Sequence, residues 1–285
     1  MSPPFLPQFS DHQKQHSEQW NNEARGIMAP AASSAAPDIC HALAPILFAS
    51  SFLHLQSRLF ATDIADIYSG KIDEILSSAY AEWQQTLTQN QTDSEREQAL
   101  RHWRNRSHFA IALSELWGHD DITASYQRLS LIAEQAVKGC VEHLLSASPT
   151  GSGWVILALG KLGAGELNFS SDIDLIILHD SKGSQKPASH FIALTRSLSR
   201  LLSRQTSDGF GWRVDLRLRP DMGGGAVSLD IDAAASYYET TARSWERAAF
   251  IRAKPIAGDC ELGKKFLARI APFIWRRVRD FTVID

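Results

Sequence analysis

The stretch WVILALGKLGAGELNFSSDIDLIIL, residues 154–178, decides how the rest of this chain is read. Trp154–Leu159 is a continuous apolar run, as a strand buried on both faces should be. A glycine-rich turn, Gly160-Lys161-Leu162-Gly163-Ala164-Gly165, follows it. Asp172–Leu178 then reads as a second strand with a polar tip. Alternate residues of a strand share a face, so Asp172 and Asp174 project side by side while Ile173 faces the opposite layer. Two adjacent carboxylates repel, and in a partly dry site one of them normally stays protonated. A hard cation such as Mg²⁺ removes that conflict, because it prefers carboxylate and phosphate oxygens. The pair is therefore a candidate metal site. The plainer reading has one aspartate capping a turn and the other solvated.

The flanking stretches bear on that choice. Glycines in the turn let backbone N–H groups approach a phosphate closely, and Lys161 adds a point charge. The spacing is neither that of a Walker A loop nor that of a dinucleotide fingerprint, and a bare turn is the competing reading. Downstream, GWRVDLRLR (211–219) alternates strictly and stops at Pro220. This predicts a strand with Val214, Leu216 and Leu218 on one face and Arg213, Asp215, Arg217 and Arg219 on the other. An ordinary half-exposed strand can look like this. A lone carboxylate among arginines also suits a place where metal and phosphate meet, with Asp215 completing a three-carboxylate cage. Arg217 and Arg219 are then candidates for bidentate phosphate contact. Glycine turn, paired aspartates on a strand, then an aspartate on a later strand is the motif order of polymerase-β-like nucleotidyltransferases. Their chemistry uses two metals about 3.5–4 Å apart for in-line transfer at phosphorus.

Outward from this centre the texture is helical. Residues 1–37 are expected to be poorly ordered, being polar and then Pro/Ala/Ser-rich (MAPAASSAAP, 28–37). Folded structure is expected to start near Asp38, a plausible cap. Residues 38–150 read as an antiparallel helical bundle. Asp93–Trp117 and Asp121–Leu145 carry apolar residues at helical spacing, and Asp121 caps the second. The turn-rich Ser148–Gly153 stretch marks a boundary. Residues 151–258 then form the sheet-bearing catalytic domain, with helices at Pro187–Arg204, Asp230–Ala242 and near Trp245–Arg252. Residues 259–285 begin a further helical region that is expected to be truncated. The fold class is α+β: a helical bundle, then a small mixed sheet with flanking helices.

Some features are read as structural. Asp230-Ile231-Asp232 precedes an alanine run and reads as a helix cap with a first-turn acid. Arg101, Arg104 and Arg106 with His102 and His108 read as a solvated basic face. Trp245, Glu246 and Arg247 read as braces for helix packing.

Bulk properties narrow the class. The chain has 285 residues, 44% of them apolar, and a formal net charge of −3. That suits one or two soluble domains and argues against a non-specific nucleic-acid binder. Cys40, Cys140 and Cys260 lie far apart and read as buried thiols of a reducing compartment. Ala42–Leu53 is the nearest approach to a membrane span but is too short and holds Pro45, Ser50 and Ser51. The start lacks a secretory signal, so a cytoplasmic location is expected, without membrane or nucleic acid as partner.

ALGKLGAGELNFSSDIDLIIL (158–178), DGFGWRVDLRLRPD (208–221) and SWERAAFIRAKPIAGD (244–259), with RHWRNR (101–106), resemble the bacterial bifunctional glutamine synthetase adenylyltransferase/adenylyl-removing family. The resemblance covers roughly residues 40–285. In that family two homologous nucleotidyltransferase halves share one chain. The N-terminal half is implied to remove AMP from a tyrosine of glutamine synthetase by phosphorolysis, giving ADP, and the other half attaches AMP from ATP. One set of motifs, a start at Met1 and a helical leader resemble the N-terminal half. The resemblance implies Asp172, Asp174 and Asp215 as ligands of Mg²⁺, or Mn²⁺, and places Gly160 and Lys161 at phosphate-loop positions. It makes Arg217 and Arg219 motif residues without assigning them a role. It further implies glutamine synthetase, a PII-type signal protein, ATP/ADP and phosphate as partners. Two alternatives stand beside this: adenylylation of a protein from ATP by the same kind of site, and a catalytically silent fragment that only binds glutamine synthetase or the signal protein.

Overall fold

The computed structural model describes residues 17–29, 36–89, 92–146, 153–220 and 226–275. They divide into two units, one built from residues up to Gln85 with His102–Leu129, the other from Thr86–Arg101 and from Ser130 onward.

The first unit is helical. It holds α1 (Ser17–Met28), α2 (Ala36–Ala49), α3 (Ser51–Leu59), α4 (Ile64–Tyr68), most of α5 (Ile72–Thr88), the second part of α6 (Asp93–Leu116) and the start of α7 (Ile122–Ser146). Helix α1 corrects the expectation of poor order for Ser17–Met28. Trp20, Ala24, Ile27 and Met28 fall at i, i+4, i+7 and i+8, which gives one apolar stripe within a polar sequence. Ala24, Ile27 and Met28 are buried, and Trp20 meets Phe48 and His54 edge-on. Residues 1–16 lie outside the described ones. Asp38 falls in the first turn of α2 and does not cap it, whereas Asp121 accepts the Ala124 N–H at 2.8 Å as a cap should. Trp83 stacks flat on Trp103 at 4.3 Å. Most of the basic face of α6 is buried or half-buried, with His102 exposed. Arg106 bonds both oxygens of Asp63 and of Glu82, and His108 is buried, which pushes its pKa well below the usual value.

The second unit carries a five-stranded sheet. Its path is β3 (Val214–Asp215), β2 (Ile173–His179), β1 (Trp154–Ala158), β5 (Lys254–Gly258), with β4 (Leu229–Asp230) also on β2. Strand β1 is buried at every position, as its unbroken apolar run requires. It pairs antiparallel with β2 and β5, while β3 and β4 run parallel to β2 near its two ends. Val155, Leu157, Ile176 and Leu178 meet Tyr238, Phe250 and Phe266 in the core beneath. Those partners come from α11 (Ile231–Thr240), α12 (Ser244–Phe250) and α13 (Cys260–Ile274). Asp230 caps α11 by accepting the Asp232 and Ala233 N–H groups. Of the residues read as packing braces, Glu246 is buried and accepts the Tyr237 hydroxyl at 3.0 Å, while Trp245 is exposed.

Two features differ from the sequence reading. GWRVDLRLR is extended only at Val214–Asp215, because the Arg217 N–H turns back onto Asp215 Oδ1 at 2.8 Å and ends the alternation. Strand β5 was not predicted; as an edge strand it tolerates Pro255. The turn expected as a boundary around residue 150 lies largely outside the described residues; the two units divide within α5, α6 and α7. Ser130 and Glu134 of α7 belong with the sheet: Ser130 Oγ accepts the Leu167 N–H at 2.9 Å, and Glu134 pairs with Lys254 at 2.7 Å. Cys40 and Cys140 are buried free thiols, and Cys260 is half-buried. Among the described residues no helix is long and apolar enough to cross a membrane.

Arg101 is fully buried. Its Nε donates to the Gly209 carbonyl at 2.9 Å, Nη1 to that of Glu97 at 2.5 Å, and Nη2 to that of Arg204. It thereby ties α6 to the loop that leads into β3. Hydrogen bonds from a charged donor contribute more than neutral ones, and orphaned buried carbonyls are costly. Arg101→Met is therefore expected to lower unfolding free energy by about 2–4 kcal/mol, measurable by urea denaturation; a loss within experimental error would contradict the clamp.

Candidate active site

Strand β1 runs directly into α8 (Gly160–Ala164), a short helical turn closed by Gly165 in the left-handed region at φ 75°. The glycine-rich segment is thus a tight helical turn. Gly160 has φ 52°, and a Cβ there would strike the Asp174 carboxylate. The backbone explains that closeness: the Leu159 N–H donates to the Asp174 carbonyl at 3.0 Å. Lys161 is exposed and its Nζ donates to Asn168 Oδ1 and Ser171 Oγ at 3.4 and 3.3 Å. Ser170, just before the paired aspartates, sits at φ 61°, a strained conformation of the kind found at functional sites.

The three aspartates share one sheet edge. Asp174 and Asp215 are register neighbours across the parallel β2–β3 pair. Asp174 is half-buried, and its carboxylate accepts no hydrogen bond from a described residue. Burial first, and then the charges of Asp215 and Asp172, push its pKa above the ordinary carboxylate value. Asp215 behaves oppositely. Arg217 grips it through Nη2–Oδ2 at 2.5 Å and through Nε at 2.9 and 3.1 Å, which holds its pKa down. Asp172 pairs with Arg213, whose Nη2 also donates to the Ser170 carbonyl at 2.5 Å. Arg213 was placed on the right face by alternation but was given no role. Arg219 is occupied with backbone, donating to the carbonyls of Ala226 at 2.9 Å and Leu216 at 2.6 Å. The structure therefore gathers Gly160, Asp172, Asp174, Asp215 and Arg217, places Lys161 on α8 close enough for its charge to act on Asp174, and gives Arg219 a role in the turn after β3.

Among the described residues no three His, Cys, Asp or Glu side chains converge closely enough to hold a metal ion. The reason is local: Asp172 is turned onto Arg213, and Asp215 onto Arg217. The donor chemistry still suits a hard cation, because Asp174 is raised by two like-charged neighbours and has no donor of its own.

A helical lead-in followed by a small mixed sheet, flanking helices and an acidic strand edge is the arrangement of a polymerase-β-like nucleotidyltransferase domain. The family model described as glutamate-ammonia ligase adenylyltransferase matches residues 42–269, and the chain belongs to that family. It is similar to the bifunctional glutamine synthetase adenylyltransferase/adenylyl-removing enzyme of Rhizobium meliloti (strain 1021), 42% identical over 214 residues that cover 67% of this chain and 21% of that protein. The protein of that name from Mesorhizobium japonicum is 36% identical over 262 residues, 85% of this chain and 27% of the other. The one from Rhodopseudomonas palustris (strain TIE-1) is 34% identical over 274 residues, 90% and 28%. The chain spans about a quarter of the length of these curated relatives.

The opposite shifts of Asp174 and Asp215 give opposite pH signatures. A raised carboxyl pKa means that the folded state favours the proton, so charged Asp174 costs stability above its folded-state pKa. That cost fades as pH falls through the raised folded-state pKa and is gone below the unfolded value of about 3.9. The depressed pKa of Asp215 contributes stability present at neutral pH and lost as pH falls through its lowered value. In metal-free buffer Asp174→Asn is expected to melt above the wild type at pH 7, with the difference vanishing in acid. Calorimetry across that range checks it, and a lower melting temperature at pH 7 would refute the repulsion.

Proposed function

We propose that this chain releases AMP from the adenylylated tyrosine of glutamine synthetase by phosphorolysis, giving ADP. The observation that carries this reading is the state of Asp174: half-buried, without a hydrogen-bond donor, wedged between two carboxylates and cleared by a glycine. Such a carboxylate is arranged for charge chemistry, since in a purely structural role it would be paired. The names of the relatives, which include adenylyl removal, support the substrate. Asp172, Asp174 and Asp215 would hold Mg²⁺ or Mn²⁺, which when bound neutralises charge on the phosphoryl groups. Arg213 and Arg217 pair with two of the carboxylates and hold them in place. Lys161 sits near the loop before Asp172, within reach of an anionic group entering over α8. A PII-type signal protein is the proposed regulatory partner. A second reading, transfer of AMP from ATP onto the protein, is favoured by the same relatives, whose names include adenylyltransferase.

Incubation of the chain with AMP-modified glutamine synthetase, phosphate and Mg²⁺ is expected to release ADP. No ADP, with or without signal protein, would refute phosphorolysis, and labelling of unmodified glutamine synthetase from ATP would select the second reading. Asp174→Asn is expected to cut turnover by roughly 10²–10³-fold or more while the circular dichroism spectrum is unchanged. Retained turnover would remove Asp174 from the chemistry.

A further inference from the structure

A cleft of about 510 Å³ opens beside the acidic edge, between the β3 segment and α10 (Ala188–Ser203). That volume lies in the usual range for small-molecule sites. Asp172, Asp215 and Arg217 line one side, and Arg196, Ser199 and Ser203 line the other. The last three fall at i, i+3 and i+7 and so share one helix face. The Trp212 N–H donates to the Leu202 carbonyl at 2.8 Å and fixes the end of α10 to the approach of β3.

The cations around this cleft are not equivalent. Arg217 is held by Asp215, Arg213 by Asp172, and Arg219 by two backbone carbonyls. Ser203 donates to the Ser199 carbonyl within its own helix. Arg196 has no hydrogen-bond or ion-pair partner among the described residues. A phosphate entering beside Asp172 and Asp215 meets repulsion that neutralised arginines offset poorly. It needs a guanidinium that is not already paired, and the planar fork of arginine matches phosphate oxygens.

We propose that Arg196, with the Ser199 hydroxyl beside it, binds the inorganic phosphate that attacks the protein-bound AMP. This rests on the phosphorolysis reading. In that step a phosphate oxygen forms a new bond to the α-phosphorus, and the bond from phosphorus to the tyrosine oxygen breaks. The proton of the hydrogen phosphate ends on the tyrosine oxygen, giving ADP and free tyrosine. Arg196 holds the phosphate oxygens that do not react.

The test titrates the full chain in Mg²⁺ buffer with inorganic phosphate and separately with ATP, followed by ³¹P NMR. Arg196→Gln is expected to weaken phosphate binding roughly tenfold or more, with Arg196→Lys intermediate. Arg200→Gln is the matched control, since Arg200 lies on the same helix, pairs with Asp93 at 3.3 Å and does not line the cleft. Its affinity should equal wild type. In the coupled assay Arg196→Gln should raise KM for phosphate far more than it lowers kcat. Phosphate affinity unchanged in Arg196→Gln, or no phosphate binding by wild type, overturns the assignment. Loss confined to ATP also overturns it, because the group would then hold a nucleotide's terminal phosphates. Arg196-dependent phosphate binding without ADP release leaves the subsite standing and removes the phosphorolysis reading. ADP release with an unaltered KM for phosphate does the reverse.

Discussion

The acidic edge depends on a very short piece of parallel ladder. The Ile173 N–H donates to the Arg213 carbonyl at 2.9 Å, and Val214–Asp215 is all that β3 contributes to the sheet. That pairing brings Asp215 alongside Asp174. Parallel neighbours on one face interact, and like charges there are destabilising. The arrangement persists because the rest of the unit over-determines it. Strand β2 is buried between β1 and the helices, and the loop before β3 is held from α6 by Arg101.

The charge at that edge is managed unevenly. Two arginines pair with the outer carboxylates and leave the central one without a donor. The asymmetry gives one group in the cluster a raised pKa and another a lowered one.

Much of this was legible in residue order. Residue alternation put Asp172 and Asp174 together, an unbroken apolar run marked β1, and the acid before Ile231 marked a cap. The parts that were not legible have physical reasons. The alternation of GWRVDLRLR extends past the strand it predicts, because a side chain that bonds its own neighbour's backbone ends a strand without changing the pattern. The arginines of RHWRNR look solvated in sequence, yet burial of an arginine depends on carbonyls contributed by residues a hundred positions away. Helix α1 hid because four apolar residues among polar ones show only when their spacing is followed. Arg196 carried no sequence signal at all; only the placement of α10 across from β3 gives it a meaning.

The buried clamp at Arg101 has a consequence for how the protein responds to its surroundings. A guanidinium stays protonated across the range in which carboxylates and histidines titrate. Its acceptors, the carbonyls of Glu97, Arg204 and Gly209, carry no titratable proton. The frame that delivers β3 is therefore blind to acidity, while the aspartates it delivers are not. Acidification alters the charge at the edge and leaves the geometry in place, so that the two can vary independently.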